Sequence, residues 1–420
     1  MQINKRKIIN DPVYGFMTLD SDILYDIMTH RYFQRLHRIM QLGLSHFVYP
    51  GAVHTRFSHT LGATYLMGLA IDVLRTKNVD ITDEEAQSVK VAIMLHDIGH
   101  GPFSHSLEHT IINDVCHEDI SKIFMHKLNE EFGGALDNAI AIFENSYHKH
   151  FLHQLVSSQL DMDRLDYLSR DSFFTGVSEG IIGTERIINM LNVHEDNLVV
   201  DEKGIYSIEK FIISRRLMYW QVYLHKTVVS ADAILISVLN RARCLLQSGM
   251  DLPCSDSLKL FLRNNYDLSD FKSNSEVLEQ FALLDDYDII SAVKGWMHSS
   301  DFILSKLSQK MINRELNAIY ISEQPFSDDE VSYYVEKISK GYGISMDDSR
   351  WFVTTGILEN HAYDFQDQEI KIFYKTKKCN DISIASDQLD RHFLEKSVTK
   401  YYLCFPKEFR ESKLRPSIIR

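Results

Sequence analysis

His96-Asp-Ile-Gly-His-Gly-Pro-Phe-Ser-His105 ends a run in which Val89, Ala92, Ile93 and His96 recur at helical spacing. Ahead of the run, Thr82-Asp-Glu-Glu85 is a capping-box pattern, with an oxygen at the N-cap and Glu three residues on. Gly99 and Gly101-Pro102 stop the helix, so His96 and Asp97 are expected in its last turn, beside glycines that let backbone approach a ligand. His-Asp alone carries almost no weight. Upstream, however, His59 stands in Thr55-Arg-Phe-Ser-His-Thr-Leu-Gly62, in the first turn of a helix marked by Leu61, Tyr65, Leu69 and Val73. Downstream, Asp163 stands in Gln159-Leu-Asp-Met-Asp-Arg-Leu-Asp-Tyr167. Two imidazoles and two carboxylates from three helices form an N/O shell suited to one divalent transition metal: Mn, Fe, Co, Ni or Zn.

Such a shell leaves positions for a water and a phosphate oxygen, which predicts a metal-dependent phosphohydrolase. Mg²⁺ could arrive separately, with the substrate phosphates. His100, His105 and the pair His117-Glu118 lie near enough in sequence to give or take a proton, with a carboxylate to orient the imidazole. Arg56, just ahead of His59, could bind an oxygen of the same phosphate. At 100° per residue, Asp163, Arg164, Tyr167 and Asp171 fall within an arc of about 100°. On a single long helix expected from Ser207 to Ser248, Arg215, Tyr219, Tyr223 and Lys226 fall within about 80°. For that second helix alone, a solvated charged face with an aromatic rim is the plainer reading. Fourteen of the 19 histidines lie between His30 and His153, which marks where the chemistry is concentrated. His54, His109, His126, His148, His150 and His153 read as ordinary core or surface residues.

The composition sets bounds on partners. With 45 basic against 58 acidic residues and a net charge of −13, non-specific nucleic-acid binding is not expected, since it draws on a basic surface. The apolar runs are too short to span a bilayer, so no membrane association is expected. Cys116, Cys244, Cys254, Cys379 and Cys404 are scattered and show no CxxC spacing, which fits a reduced, cytoplasmic protein. The expected fold is mainly α, with a helical catalytic core over residues 1–250. Residues 251–420 are expected to be helical and then α+β, completing an interface. Strands are expected at Asn317–Ile321, Trp351–Thr355, Ile370–Tyr374 and Tyr401–Phe405, with a helix capped by Ser327-Asp-Asp-Glu330 between them.

Beyond this reading, the chain resembles the deoxynucleoside triphosphate triphosphohydrolases of the HD-domain phosphohydrolase superfamily. The resemblance rests on Lys7-Ile-Ile-Asn-Asp-Pro-Val-Tyr-Gly15, Phe33-Gln-Arg-Leu36, Gln41-Leu-Gly43, Tyr49-Pro-Gly-Ala52, Thr55–Gly62, His96–His105, His117-Glu118 and Asp161–Tyr167, and covers about residues 5 to 230. It is to the catalytic domain, with no SAM-like domain expected ahead of it. It implies cleavage of a dNTP at the α-phosphate, giving deoxynucleoside and triphosphate. It also implies metal ligands at His59, His96, Asp97 and Asp163, and catalytic roles for His105, His117, Glu118 and His100. Phosphate contacts are implied for Arg56, Arg164 and Lys226 or Arg215. Sugar recognition is implied for Gln41, Leu42, Tyr167, Asp171 and Tyr223. Asp161 is expected to brace Arg164 or the metal helix rather than bind metal. The family implies a homodimer or homotetramer and a nucleotide effector. Vertebrate members read an activating guanine nucleotide with an acidic residue and an Arg where Thr29 and His37 stand here, so guanine-specific activation does not carry over. Other phosphorylated substrates of this superfamily stand as alternatives: a nucleoside monophosphate, a guanosine polyphosphate or a cyclic dinucleotide. A non-catalytic nucleotide sensor is a further one.

Overall fold

The structure is a computed structural model that describes residues 7–103, 110, 112, 115–360, 363, 369–389, 394 and 398–411. The chain is mainly α-helical, as its patterning implies. The helix Arg56–Thr76 buries Leu61, Leu66, Met67, Ala70, Ile71 and Leu74; each of the Leu, Met and Ile side chains contributes about 1.5–3 kcal/mol relative to exposure. It packs against the helices Asp83–Leu95 and Met162–Thr175. The capping box is present: Glu85 N–H donates to Thr82 Oγ1 at 3.1 Å, and Thr82 N–H to Glu85 Oε2 at 2.8 Å. This helix closes at Leu95, so His96 is its C-cap and Asp97 lies in the turn beyond. Gly99 permits a close approach there. A Cβ at this position would lie 2.1 Å from the His117 carbonyl and 2.4 Å from Ser121 N, on the helix His117–Glu131.

Among the described residues, three small sheets accompany the helices. Strands β1 (Lys7–Asp11) and β2 (Gly15–Leu19) form an antiparallel hairpin. Asp11 shapes its turn by accepting from Val13 N at 2.9 Å and Tyr14 N at 3.0 Å, and Gly15 takes the left-handed φ of 73°. The second sheet has the order β3-β4-β7-β8: β3 (Leu191–His194), β4 (Asn197–Asp201), β7 (Lys371–Phe373) and β8 (Cys379–Asp381). Its β4–β7 pairing is parallel and joins strands from either side of residue 250. In the third sheet β9 (Val398–Phe405) lies between β5 (Ala318–Ser322) and β6 (Thr354–Asn360). The expected strand at Trp351 instead begins at Thr354, after a turn.

The single helix expected from Ser207 to Ser248 is two helices, Ile205–Met218 and Lys226–Gln247, joined through a π-turn at Tyr219–Tyr223. Leu224 N–H reaches back five residues to the Tyr219 carbonyl at 2.7 Å. His225 then turns extended, and its imidazole caps the next helix by accepting from Thr227 N at 3.1 Å. Apolar periodicity continues through this break, which is why spacing alone could not reveal it. Among the described residues no single helix is long and apolar enough to cross a membrane.

Candidate metal centre

Three helix ends converge. His59 sits in the first turn of Arg56–Thr76, His96 and Asp97 follow Asp83–Leu95, and Asp163 opens Met162–Thr175. His59 Nε2 lies 3.0 Å from Asp163 Oδ1 and 3.7 Å from Asp97 Oδ2. His96 Nε2 lies 3.3 Å from Asp97 Oδ1 and 3.4 Å from Asp163 Oδ1. The ligating atoms of His59, His96 and Asp163 all fall within 4.8 Å of one another.

Each imidazole is fixed from behind. His59 Nδ1 bonds Asp166 Oδ2 at 2.7 Å, and His96 Nδ1 bonds the Ile93 carbonyl at 2.6 Å. Both Nδ1 atoms therefore donate, and both Nε2 atoms face the carboxylates, where each can give up its proton and offer a lone pair to a metal. The two Nε2 atoms are buried without a hydrogen bond of good geometry. Buried polar atoms are rarely left so. A divalent cation satisfies both, and the N₂O₂ donor set suits it. The residues fit the metal.

The electrostatics agree. Burial pushes the Asp163 carboxyl up, but hydrogen bonds to His59 and His96 outweigh it and hold it far below the usual range. Burial likewise opposes ionisation of Asp97, and His96, Arg56 and His100 overcome it. Burial lowers His59, yet its bonds to Asp163 and Asp166 push it up to about 10. The negative field that draws a proton onto His59 also draws a metal cation, which displaces that proton on binding.

The surrounding residues sort by place. Arg56 is buried and pairs with Asp97 Oδ2. His100 lies 3.3 Å from Asp97 Oδ1 and stacks on His117, with ring centroids 3.8 Å apart. Burial, aided by Arg56, holds His100 well below the ordinary histidine range, so its ring is neutral. His117 and Glu118 open the helix His117–Glu131. His105 lies outside the described residues. Asp161 caps Met162–Thr175, accepting from Arg164 N at 2.7 Å and lying 3.3 Å from Arg164 Nε, which is bracing rather than ligation.

Asp171 accepts from Tyr223 Oη at 2.8 Å, and the Tyr167 and Tyr223 rings meet edge to face at 6.3 Å. Burial raises both phenols, Tyr167 to about 12, so they remain hydroxyl donors. Arg215 Nη1 donates to Gln159 Oε1 at 3.1 Å, while its Nε is buried and unpaired. Gln41 Oε1 is likewise buried and unpaired. Leu42, beside it, is half-buried and caps the 3₁₀ turn Gly43–Phe47. Lys226 is exposed and starts the helix beyond the bend, so the shared face drawn for Arg215, Tyr219, Tyr223 and Lys226 does not run unbroken.

Sequence reasoning passed over four residues here. Asp166 orients His59, and Arg170 grips Asp166 through Nε at 2.9 Å and Nη2 at 3.0 Å. Arg170 Nη1 also reaches Asp11 Oδ2 at 2.8 Å, tying the N-terminal hairpin to the centre. His54 bonds Asp171 Oδ1 at 2.7 Å. The available signal was Gly62, one turn beyond His59: a Cβ there would lie 2.0 Å from Asp166 Oδ1 and 2.2 Å from Arg170 Nη2.

Comparison with known proteins gives concordant matches. The families described as HD domain and HD associated region match residues 56–171 and 182–248. Uncharacterized protein YwfO of Bacillus subtilis is 32% identical over 373 residues, covering 87% of this chain and 82% of that protein. The deoxynucleoside triphosphate triphosphohydrolase SAMHD1 homolog of Dictyostelium discoideum is 30% identical over 255 residues, covering 56% of this chain and 49% of that protein. This chain thus spans about half the length of that relative. The crystal structure of a phosphohydrolase from Bacteroides thetaiotaomicron superposes with a TM-score of 0.93 at 52% identity, covering 95% of this chain and 99% of that one.

Proposed function

We propose, for a chain that belongs to the HD-domain phosphohydrolase superfamily, that it hydrolyses deoxynucleoside triphosphates at the α-phosphate, releasing deoxynucleoside and triphosphate. The observation that carries this reading is a His/Asp metal group whose Asp163 shares a helix with buried Asp171, which is bonded to half-buried Tyr223. When bound, one divalent metal supplies Lewis acidity toward a phosphoryl oxygen and a water.

The chain's own residues supply the rest. His59, His96, Asp97 and Asp163 hold the metal. His100, neutral and beside Asp97, and the stacked His117 with Glu118 move protons at the leaving or attacking oxygen, with His105 assigned to the same step. Arg164, Arg215 and Lys226 meet phosphate oxygens, joined by Arg56 when substrate loosens its pair with Asp97. Gln41, Leu42, Tyr167, Asp171 and Tyr223 receive the sugar. A ribose 2′-hydroxyl there would crowd Tyr167 and leave a polar group unpaired, favouring the deoxy substrate.

The same reading takes the protein as a cytoplasmic homodimer or homotetramer, open to a nucleotide effector, with residues 251–420 completing the interface. It is tested by incubating purified protein with each dNTP and NTP, with Mg²⁺, Mn²⁺ or Fe²⁺ added singly. Turnover of dNTPs that disappears in Asp97→Ala supports it. Turnover of NTPs alone, or of no nucleotide either singly or in mixtures that could supply an effector, refutes it.

A further inference from the structure

Asp286 opens the helix Asp286–Trp296, far outside the stretches matched by the two family descriptions. Its carboxylate is buried and spends its oxygens on two distant backbone segments. Oδ2 accepts from Met40 N at 2.8 Å and Oδ1 from Phe103 N at 2.7 Å. Met40 precedes Gln41, and Phe103 follows His100 by three residues in the same loop.

Neighbouring contacts point the same way. Arg38 pairs with Asp285, one residue before Asp286. Arg35, fully buried, donates Nη1 to the Ile98 carbonyl at 2.8 Å and Nη2 to the His100 carbonyl at 2.6 Å. Gly101 rests on Phe281, whose ring would lie 3.4 Å from a Cβ there. Phe103 holds a left-handed φ of 50°, a conformation that a bulky side chain keeps only when its surroundings impose it. The bond from Phe103 N to Asp286 is such a constraint. Asp286 has no cation within bonding distance among the described residues, so its two backbone bonds account for its burial.

We infer that Asp286 is a positioning residue that locks the Gln41 segment and the His100 loop into one geometry. The C-terminal half thereby takes part in assembling a site whose metal ligands all lie in the first half.

Hydrogen exchange in wild type, Asp286→Asn and Asp286→Ala tests this, read at residues 39–42 and 98–103. An Asn side chain keeps one acceptor oxygen, so D286N should free one segment and D286A both, with exchange faster at least tenfold. The helix Arg56–Thr76 should stay as protected as in wild type. Bound Mn²⁺ should be unchanged, and dNTP turnover in D286N should fall at least tenfold, mainly in kcat. If D286A does not fold, D286N decides. Wild-type protection at both segments in D286N would overturn the inference, as would faster exchange with wild-type turnover. Only the turnover arm rests on the dNTPase reading. If wild-type protein turns over no dNTP, that reading fails, while exchange still judges the lock: freed segments with unchanged Mn²⁺ binding keep it, and wild-type protection ends it.

Discussion

Asp166 holds His59 at 2.7 Å through Nδ1, opposite the Nε2 that faces Asp163, and neither side chain is exposed. Arg170 in turn fixes Asp166, so the orientation of His59 depends on a buried chain of charges reaching Asp11. Replacing Asp166 with Asn keeps the shape but weakens the acceptor. Affinity for Mn²⁺ is expected to fall about 10- to 100-fold, the usual effect of losing a partner behind a metal-bound histidine. Titration of metal-stripped D166N with Mn²⁺ checks it; wild-type affinity would contradict the role.

Gly62→Ala attacks the same chain by sterics alone, since the added methyl falls on Asp166 and Arg170. A destabilisation of about 1–3 kcal/mol is expected from overpacking, together with weaker metal binding. Alanine is the better helix former, so an unchanged or raised melting temperature would show that the pair has room to move.

Metal should stabilise the fold. At a concentration 100 times its Kd, a ligand specific to the native state adds about 2.7 kcal/mol. Melting curves with and without Mn²⁺ should separate accordingly in wild type, and coincide in a His59→Ala/His96→Ala double variant.

Tyr223→Phe removes the donor to Asp171 and nothing else at that contact. A lost hydrogen bond of this kind costs about 0.5–1.5 kcal/mol. KM for dNTPs should therefore rise several-fold, with kcat and Mn²⁺ affinity near wild type. A fall in kcat at constant KM would place Tyr223 in the chemical step instead.

Asp286 gives a pH signature. Burial pushes its carboxyl up to about 7 from the ordinary 3.8, against the lowering effect of its bonds from Met40 and Phe103. Between those values the unfolded chain has lost the proton that the folded chain keeps, so this group's contribution to stability falls as pH rises, by up to about 4 kcal/mol in all. Denaturation of wild type and D286N at pH 5, 6, 7 and 8 should show the wild-type advantage shrinking up to about pH 7 and level beyond. An advantage independent of pH would mean the carboxyl titrates normally.

His59, His96, Asp97 and Asp163, the ligands proposed here, could be picked from the sequence because each carries ligand chemistry and each lies by a helix end. Asp161 reads from the sequence only as a brace; its role as the cap of Met162–Thr175 comes from the structure. Residues that support through space could not be picked. Asp286 stands 246 residues from Met40 and 183 from Phe103, and no local pattern connects them. His54 stands alone between Val53 and Thr55, so its bond to Asp171 left no trace in spacing. The bend at Leu224–His225 was hidden because Val222, Val228 and Val229 keep an apolar rhythm across it. The hairpin Lys7–Leu19 did leave a signal in Asp11-Pro-Val-Tyr-Gly15, a turn sequence flanked by β-branched residues.

The most direct measurement is product identity. Wild-type protein is incubated with a single dNTP and Mn²⁺, and the products are resolved by ion-exchange chromatography beside authentic standards. Equal amounts of deoxynucleoside and inorganic triphosphate, absent with Asp97→Ala, are the predicted result. Deoxynucleoside monophosphate with pyrophosphate, deoxynucleoside diphosphate with phosphate, or an untouched dNTP would contradict attack at the α-phosphate with the deoxynucleoside 5′-oxygen as leaving group.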